Sequence, residues 1–133
     1  MDFDLTEEMR MLKDMSYKFA VNELTPIARQ CDSEEKYDRD SVRKAAEIGL
    51  VAAWAPEEYG GAGVGSLGVA IITEQLSRVD MGTGLNIVVA SFGTEAIYAS
   101  GTEEQKMAYI PPVCRGEMVS AGAYTEPDAG TDV

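Results

Sequence analysis

The carboxy-terminal residues are small, turn-forming and rich in hydroxyls: Gly122-Ala123-Tyr124-Thr125-Glu126-Pro127-Asp128-Ala129-Gly130-Thr131-Asp132-Val133. Such a segment suits close approach of backbone to a bulky ligand. Gly130 has no Cβ to block that approach, and the hydroxyls of Thr125 and Thr131 donate and accept hydrogen bonds. Without context the same residues make an ordinary surface turn, since Thr-Glu-Pro and Ala-Gly-Thr-Asp are common turn chemistry. Nothing after Val133 supports the far side of a pocket, so the expectation is a binding loop in part of a larger protein.

Other chemistry is sparsely supplied. The chain has no histidine, and Cys31 and Cys114 stand far apart with no CxxC pair. Neither a zinc site nor a Cys-His nucleophile can be assembled, and both thiols read as buried and reduced. Most of the 23 acidic residues sit beside other charges, as in Glu7-Glu8, Glu34-Glu35 and Glu103-Glu104, which marks solvated faces. Glu74 and Glu95 lie within apolar helical stretches and read as buried, partnered carboxylates rather than as a catalytic base.

The 133 residues, 45% of them hydrophobic, suffice for one core and one domain. A formal charge of -12 repels phosphate backbones and anionic headgroups, so neither nucleic acid nor a membrane surface is an expected partner. Met1-Asp2-Phe3-Asp4 lacks the basic flank and apolar stretch of a signal peptide, and no apolar run approaches spanning length. A soluble, reducing, cytoplasmic setting is expected.

The elements that must position the terminal loop are helical. Leu5, Met9, Leu12, Ser16, Phe19 and Ala20 recur at helical spacing behind an N-cap at Thr6. Pro26 should end or kink that helix before a second stretch to about Glu34. Residues 38–48 predict a third helix, closed by Gly49 in a left-handed conformation. Residues 51–65 are irregular, and residues 66–79 predict another helix. The nearly all-apolar run 85–100 predicts a central helix buried on most of its circumference and closed by Gly101. Thr102-Glu103-Glu104-Gln105 has the form of a capping box, opening a last helix to about Val113 whose tail Pro111-Pro112 should break. Residues 117–125 read as extended. The predicted fold is all-α: a compact domain of about six helices ending in one extended segment.

Three ordered motifs resemble the acyl-CoA dehydrogenase family of flavoproteins: AYTEPDAGTD at residues 123–132, APEEYGG at 55–61 and SGTEEQKMAYIPP at 100–112. The resemblance covers essentially the whole chain. It implies an amino-terminal helical domain at 1–116, followed at 117–133 by the first strand and flavin-contacting loop of a truncated β domain. The family oxidises an acyl-CoA thioester to the 2,3-enoyl-CoA in fatty acid metabolism, with FAD as cofactor. The resemblance places Gly122, Ala123, Tyr124, Thr125, Glu126, Pro127, Asp128, Ala129, Gly130 and Thr131 against FAD, Thr125 near the flavin ring and Thr131 near the pyrophosphate and the acyl-CoA. Asp128 departs from the small residue of many members and adds a charge there.

The resemblance also implies that Leu85, Val88, Val89 and Phe92 line the acyl tail, and that the catalytic base lies beyond Val133. Members acting on dicarboxylyl-CoA resemble this chain but carry an Arg at the position of Thr83. Without that cation a second carboxylate would be buried unpaired, which disfavours such substrates. An electron-transfer flavoprotein as partner and a homo-oligomer, tetrameric in the family, complete the expectation. The alternatives are an acyl-CoA oxidase or enoyl-CoA reductase of the same superfamily, or a non-enzymatic helical interaction module. APEEYGG, with no evident acid, base or nucleophile, reads as structural.

Overall fold

The computed structural model describes residues 4–131. Met1, Asp2 and Phe3 of the amino-terminal reading, and Asp132 and Val133 of the terminal motif, lie outside the described residues. Seven α-helices occur among those described, and no helix there is long and apolar enough to cross a membrane.

Helix α1, Glu7–Phe19, opens at Thr6, whose hydroxyl accepts the Met9 amide at 3.3 Å, with Glu7 and Glu8 in its positive first turn. The α-helical run is interrupted just before Pro26, as expected, and a second stretch follows to the C-cap at Glu34. One π turn, Ala20–Leu24, carries α1 into α2, Thr25–Ser33, and the Thr25 amide reaches back to the Ala20 carbonyl. The wider turn places Pro26 in the first turn of a new helix, where a missing amide leaves no intrahelical bond unmade.

Helix α3, Arg39–Glu47, is capped by Asp38, which accepts the Ser41 amide at 2.8 Å, and is followed by Gly49 at φ 75° as expected. Helix α4, Gly65–Ser77, buries Ile71, Ile72, Gln75 and Leu76. Its close neighbour is α5, Met81–Val88: a Cβ on Gly84 would lie 2.9 Å from the carbonyl carbon of Leu76, so only glycine allows the two backbones to approach. Leu24, Ile72, Leu76, Ile87 and Ile110 are fully buried and form the centre of the core. Val51, Ala52, Ala53 and Ala55 of the irregular stretch join it.

Two expectations are corrected here. Residues 85–100 are not one buried central helix. The chain turns after α5 and restarts as α6, Thr94–Ser100, because Gly93 sits at φ 99° and a left-handed residue cannot continue a right-handed helix. Leu85, Val89 and Phe92 face outward instead of into a core. Gly101 does close α6, but in extended rather than left-handed backbone; it is small because a Cβ there would lie 2.5 Å from the Ile97 carbonyl oxygen.

The second correction concerns Pro111-Pro112, which lie inside α7, Glu103–Cys114, without breaking it. The residues whose carbonyls lose their donors, Met107 and Ala108, are exposed to water, while Ile110, Val113 and Cys114 pin the last turn to the core. The capping box is present in full, Thr102 Oγ1 accepting from the Gln105 amide and Gln105 Oε1 from the Thr102 amide.

The APEEYGG and GTEEQK motifs meet. Tyr59 is buried, and its hydroxyl donates to Glu103 Oε2 at 2.8 Å, while Lys106 holds the other oxygen of the same carboxylate at 2.8 Å. The Tyr59 ring also stands edge-on to Tyr98 at 6.0 Å, and Tyr98 stands edge-on to Trp54 at 5.6 Å. Hydrogen bonding to the carboxylate, with help from burial, pushes the Tyr59 hydroxyl up to about 12, while Lys106 and then Tyr59 hold Glu103 below the usual carboxylate range. The neutral phenol is therefore favoured by folding. Its contribution is complete below the ordinary tyrosine value and is lost as pH rises from there through about 12. Tyr59→Phe is expected to lower Tm at neutral pH and to flatten its fall above about pH 10 relative to wild type. Parallel Tm–pH curves for the two proteins would show that the contact contributes nothing.

Candidate functional site

The corner between α5 and α6 carries the terminal segment. The Ser120 amide donates to the Ala90 carbonyl at 2.8 Å, and Ser91 and Ser120 form a single parallel bridge. The chain then passes over Gly93, where a Cβ would lie 3.1 Å from the Ala121 carbonyl oxygen. Residues 117–125 thus form no strand ladder among the described residues; one bridge seats them on the corner.

Beyond the corner, Tyr124 folds back over Gly122, whose missing Cβ would sit 2.4 Å from the Tyr124 ring, and the same ring tilts against Phe92 at 5.5 Å. A tight hairpin follows. The Glu126 amide donates to the Ala129 carbonyl at 2.8 Å and the Ala129 amide donates back at 3.3 Å, with Pro127 and Asp128 as the two central residues. Pro127 supplies the fixed φ such a reversal uses. Of residues 122–131 only Ala129 is half-buried; the rest, including Thr125, Asp128 and Thr131, are exposed. Nothing lies within 4 Å of the position a Cβ on Gly130 would take.

The apolar residues read from the sequence divide between two faces. Leu85, Val89 and Phe92 are exposed by 46%, 37% and 46%; Leu85 and Val89 lie one turn apart at the end of α5, and Phe92, in the turn that follows, meets Tyr124, so that in chain order they make an open apolar stripe. Val88 is half-buried and packs against the core. At the other end of the stripe, a groove of about 520 Å³ opens beside Leu85, with Tyr37 and Asn86 in its walls.

Thr83 is buried there, its amide and hydroxyl both donating to Asp80 Oδ2 at 2.7 and 2.6 Å. Asp80 caps α5 and was passed over in sequence reasoning, although an Asp three residues before Thr83 at the start of an apolar run is an N-cap signature. Trp54, whose indole N–H donates to Ser91 Oγ at 3.3 Å, steadies the corner and was likewise unremarked.

The two acids expected to be buried are exposed. Glu74 accepts from Gln75 Nε2 at 2.9 Å, and Glu95 accepts the Gly93 amide at 3.0 Å. Helices α4 and α6 bury one side only, and both carboxylates stand on the other. No group of three potential metal ligands occurs among the described residues, and Cys31 and Cys114 are buried free thiols.

A family model described as acyl-CoA dehydrogenase, N-terminal domain, matches residues 6–117. The chain belongs to the acyl-CoA dehydrogenase family. It is 40% identical over 133 residues to the short-chain specific acyl-CoA dehydrogenase of Clostridium acetobutylicum, covering 99% of this chain and 35% of that protein. To the acryloyl-CoA reductase (NADH) of Anaerotignum propionicum it is 39% identical over 132 residues, or 99% of this chain and 34% of that one. Among solved structures, the acyl-CoA dehydrogenase complexed with FAD from Bacillus anthracis superposes with a TM-score of 0.84 at 33% identity, over 97% of this chain and 22% of that one. This acyl-CoA dehydrogenase domain spans about a third of the length of the curated relatives it matches.

Proposed function

We propose that the chain is the amino-terminal domain of an FAD-dependent acyl-CoA dehydrogenase that oxidises an acyl-CoA thioester to the 2,3-enoyl-CoA. The observation that carries this reading is a juxtaposition: a donor-rich, exposed loop is seated, through Tyr124 on Phe92, at the end of an open apolar stripe. A reactive cofactor and a hydrocarbon tail need those two surfaces side by side.

The residues present fit FAD. The Thr125 and Thr131 hydroxyls and the open backbone around Gly130 are the donors that a flavin ring and a pyrophosphate accept from. In the proposal residues 122–131 hold the cofactor from one side, Thr125 beside the ring and Thr131 towards the pyrophosphate. Held there, FAD would supply the acceptor for the β-hydride of the thioester. Leu85, Val89 and Phe92, with the half-buried Val88 behind them, exclude water from the tail and orient it. The base that removes the α-proton is assigned to a part of the longer protein outside these residues, since Glu74 and Glu95 are exposed on outward faces. An electron-transfer flavoprotein is the proposed electron acceptor. Subunit association belongs to the same proposal, and a monomeric full-length protein in light scattering would remove it.

Thr125→Val in the full-length protein keeps the shape and removes the hydroxyl. FAD affinity is expected to fall by about 1 to 2 kcal/mol, the scale of a buried hydrogen bond left half-made, with a shifted flavin spectrum. Unchanged affinity, spectrum and turnover would take Thr125 out of the site. The similarity to an acryloyl-CoA reductase favours one second reading, an enoyl-CoA reductase on the same scaffold. Comparing acyl-CoA-driven dye reduction with NADH-driven reduction of an enoyl-CoA separates the two.

A further inference from the structure

The terminal loop hangs from a short stretch of backbone. Residues 119–131 are tied to the helices by the Ser120 amide on the Ala90 carbonyl and by the Ser91–Ser120 bridge, so the angle of the corner decides where the loop lies. Ser91 is buried in that corner and is held from two sides. Towards α6, its carbonyl accepts from both the amide and the hydroxyl of the buried Thr94. On the other side, its hydroxyl accepts the indole N–H of Trp54 at 3.3 Å.

Trp54 reaches the corner from a fixed base. Val51, Ala52, Ala53 and Ala55 beside it in the chain are buried in the core, so its backbone has no freedom to follow the loop. Its ring stands edge-on to Tyr98 of α6 at 5.6 Å. One side chain thus touches the residue before Gly93 and the helix after it, bracing the turn across its open angle. Packing alone does not call for the N–H, since a phenyl ring would fill most of the same space and keep an edge contact with Tyr98. What the indole adds is a directional bond to the very residue that pairs with the terminal segment.

We propose that Trp54 is a positioning residue for the cofactor, acting through Ser91 to set the angle at which residues 122–131 meet FAD. The inference rests on the reading of those residues as the cofactor loop. In the full-length FAD-loaded protein, Trp54→Phe removes the donor and Ser91→Ala the acceptor. Each is expected to raise the Kd for FAD about threefold or more, the scale of one hydrogen bond, and to shift the flavin absorption bands. At saturating FAD, kcat should fall while KM for the acyl-CoA stays near the wild-type value, as for a loss felt in the transition state and not in ground-state binding. The double variant should be no worse than the worse single one, because both changes remove the same interaction. Either single variant carries the test if the other fails to fold. Variants that lose Tm but keep the wild-type Kd and spectrum, or losses in Kd that add in the double variant, make Trp54 a packing residue only and overturn the inference, leaving the proposed function standing. A full-length wild-type protein that holds no FAD overturns both.

Discussion

Gly61→Ala is expected to destabilise the domain by about 3 kcal/mol or more, at the top of the range for overpacking a tight site. The reason is local and geometric. Residues 56–63 fold back on themselves, with the Gly61 amide donating to the Pro56 carbonyl at 3.2 Å and the Gly63 amide to the Ala55 carbonyl at 2.9 Å. This reversal presses Gly61 onto Ala55, so that a Cβ would stand 2.1 Å from the Ala55 carbonyl oxygen. Backbone cannot rotate aside as a side chain does, and Ala55 is fully buried, so the whole reversal would have to move. Gly63 supplies the control. It sits at φ 61° with nothing within 4 Å of a Cβ, so Gly63→Ala carries only the left-handed penalty of about 1 to 2 kcal/mol. Urea unfolding at unchanged m-value gives both numbers. Equal midpoints for the two variants would show that the close approach at Gly61 relaxes freely.

That contrast shows which parts of the fold were legible beforehand. Caps are written in adjacent residues, and Thr6 and the Thr102–Gln105 pair cap the helices they precede, while Asp38, read as the first residue of a helix, turns out to be the cap of α3. Pro26 marks the passage from one helical stretch to the next, as its missing amide predicts, whereas Pro111-Pro112 were over-read, because burial of Ile110, Val113 and Cys114 holds the last turn of α7. The run 85–100 misled because hydrophobicity alone cannot distinguish a residue covered by its own core from one left open for another surface. Leu85, Val89 and Phe92 are as apolar as Ile87, yet Ile87 is fully buried and they are not. The break at Gly93 could have been seen in the glycine, but its cause, the passage of Ala121 overhead, joins residues distant in the chain. The same long-range docking explains why the terminal motif, obvious as a pattern, gave no hint that Tyr124 would meet Phe92. Glu74 and Glu95 were misplaced for a related reason: an acid within an apolar stretch looks buried until the outward face of its helix is known.

The 133-residue chain on its own is expected to lose FAD on desalting and to dehydrogenate no acyl-CoA. Nine of the ten residues from 122 to 131 are exposed, and the tenth, Ala129, is only half-buried, so together they form a surface and not an enclosure. Tight small-molecule sites bury about 70 to 90% of their ligand, and one exposed hairpin covers at most one side of a flavin. The electrostatics add to the loss, because Glu126 starts the hairpin and Asp128 stands at its tip on a chain whose formal charge is already -12, and a pyrophosphate brings further negative charge. Raising the salt to about 1 M shortens the screening length to about 3 Å but supplies no second wall, so retention should not be restored. Absorbance near the flavin bands after gel filtration, at low and high salt, reads the outcome directly. Stoichiometric yellow protein would mean that copies of the chain complete the site for one another. The enclosing surface would then have to be sought on the exposed faces of this domain itself.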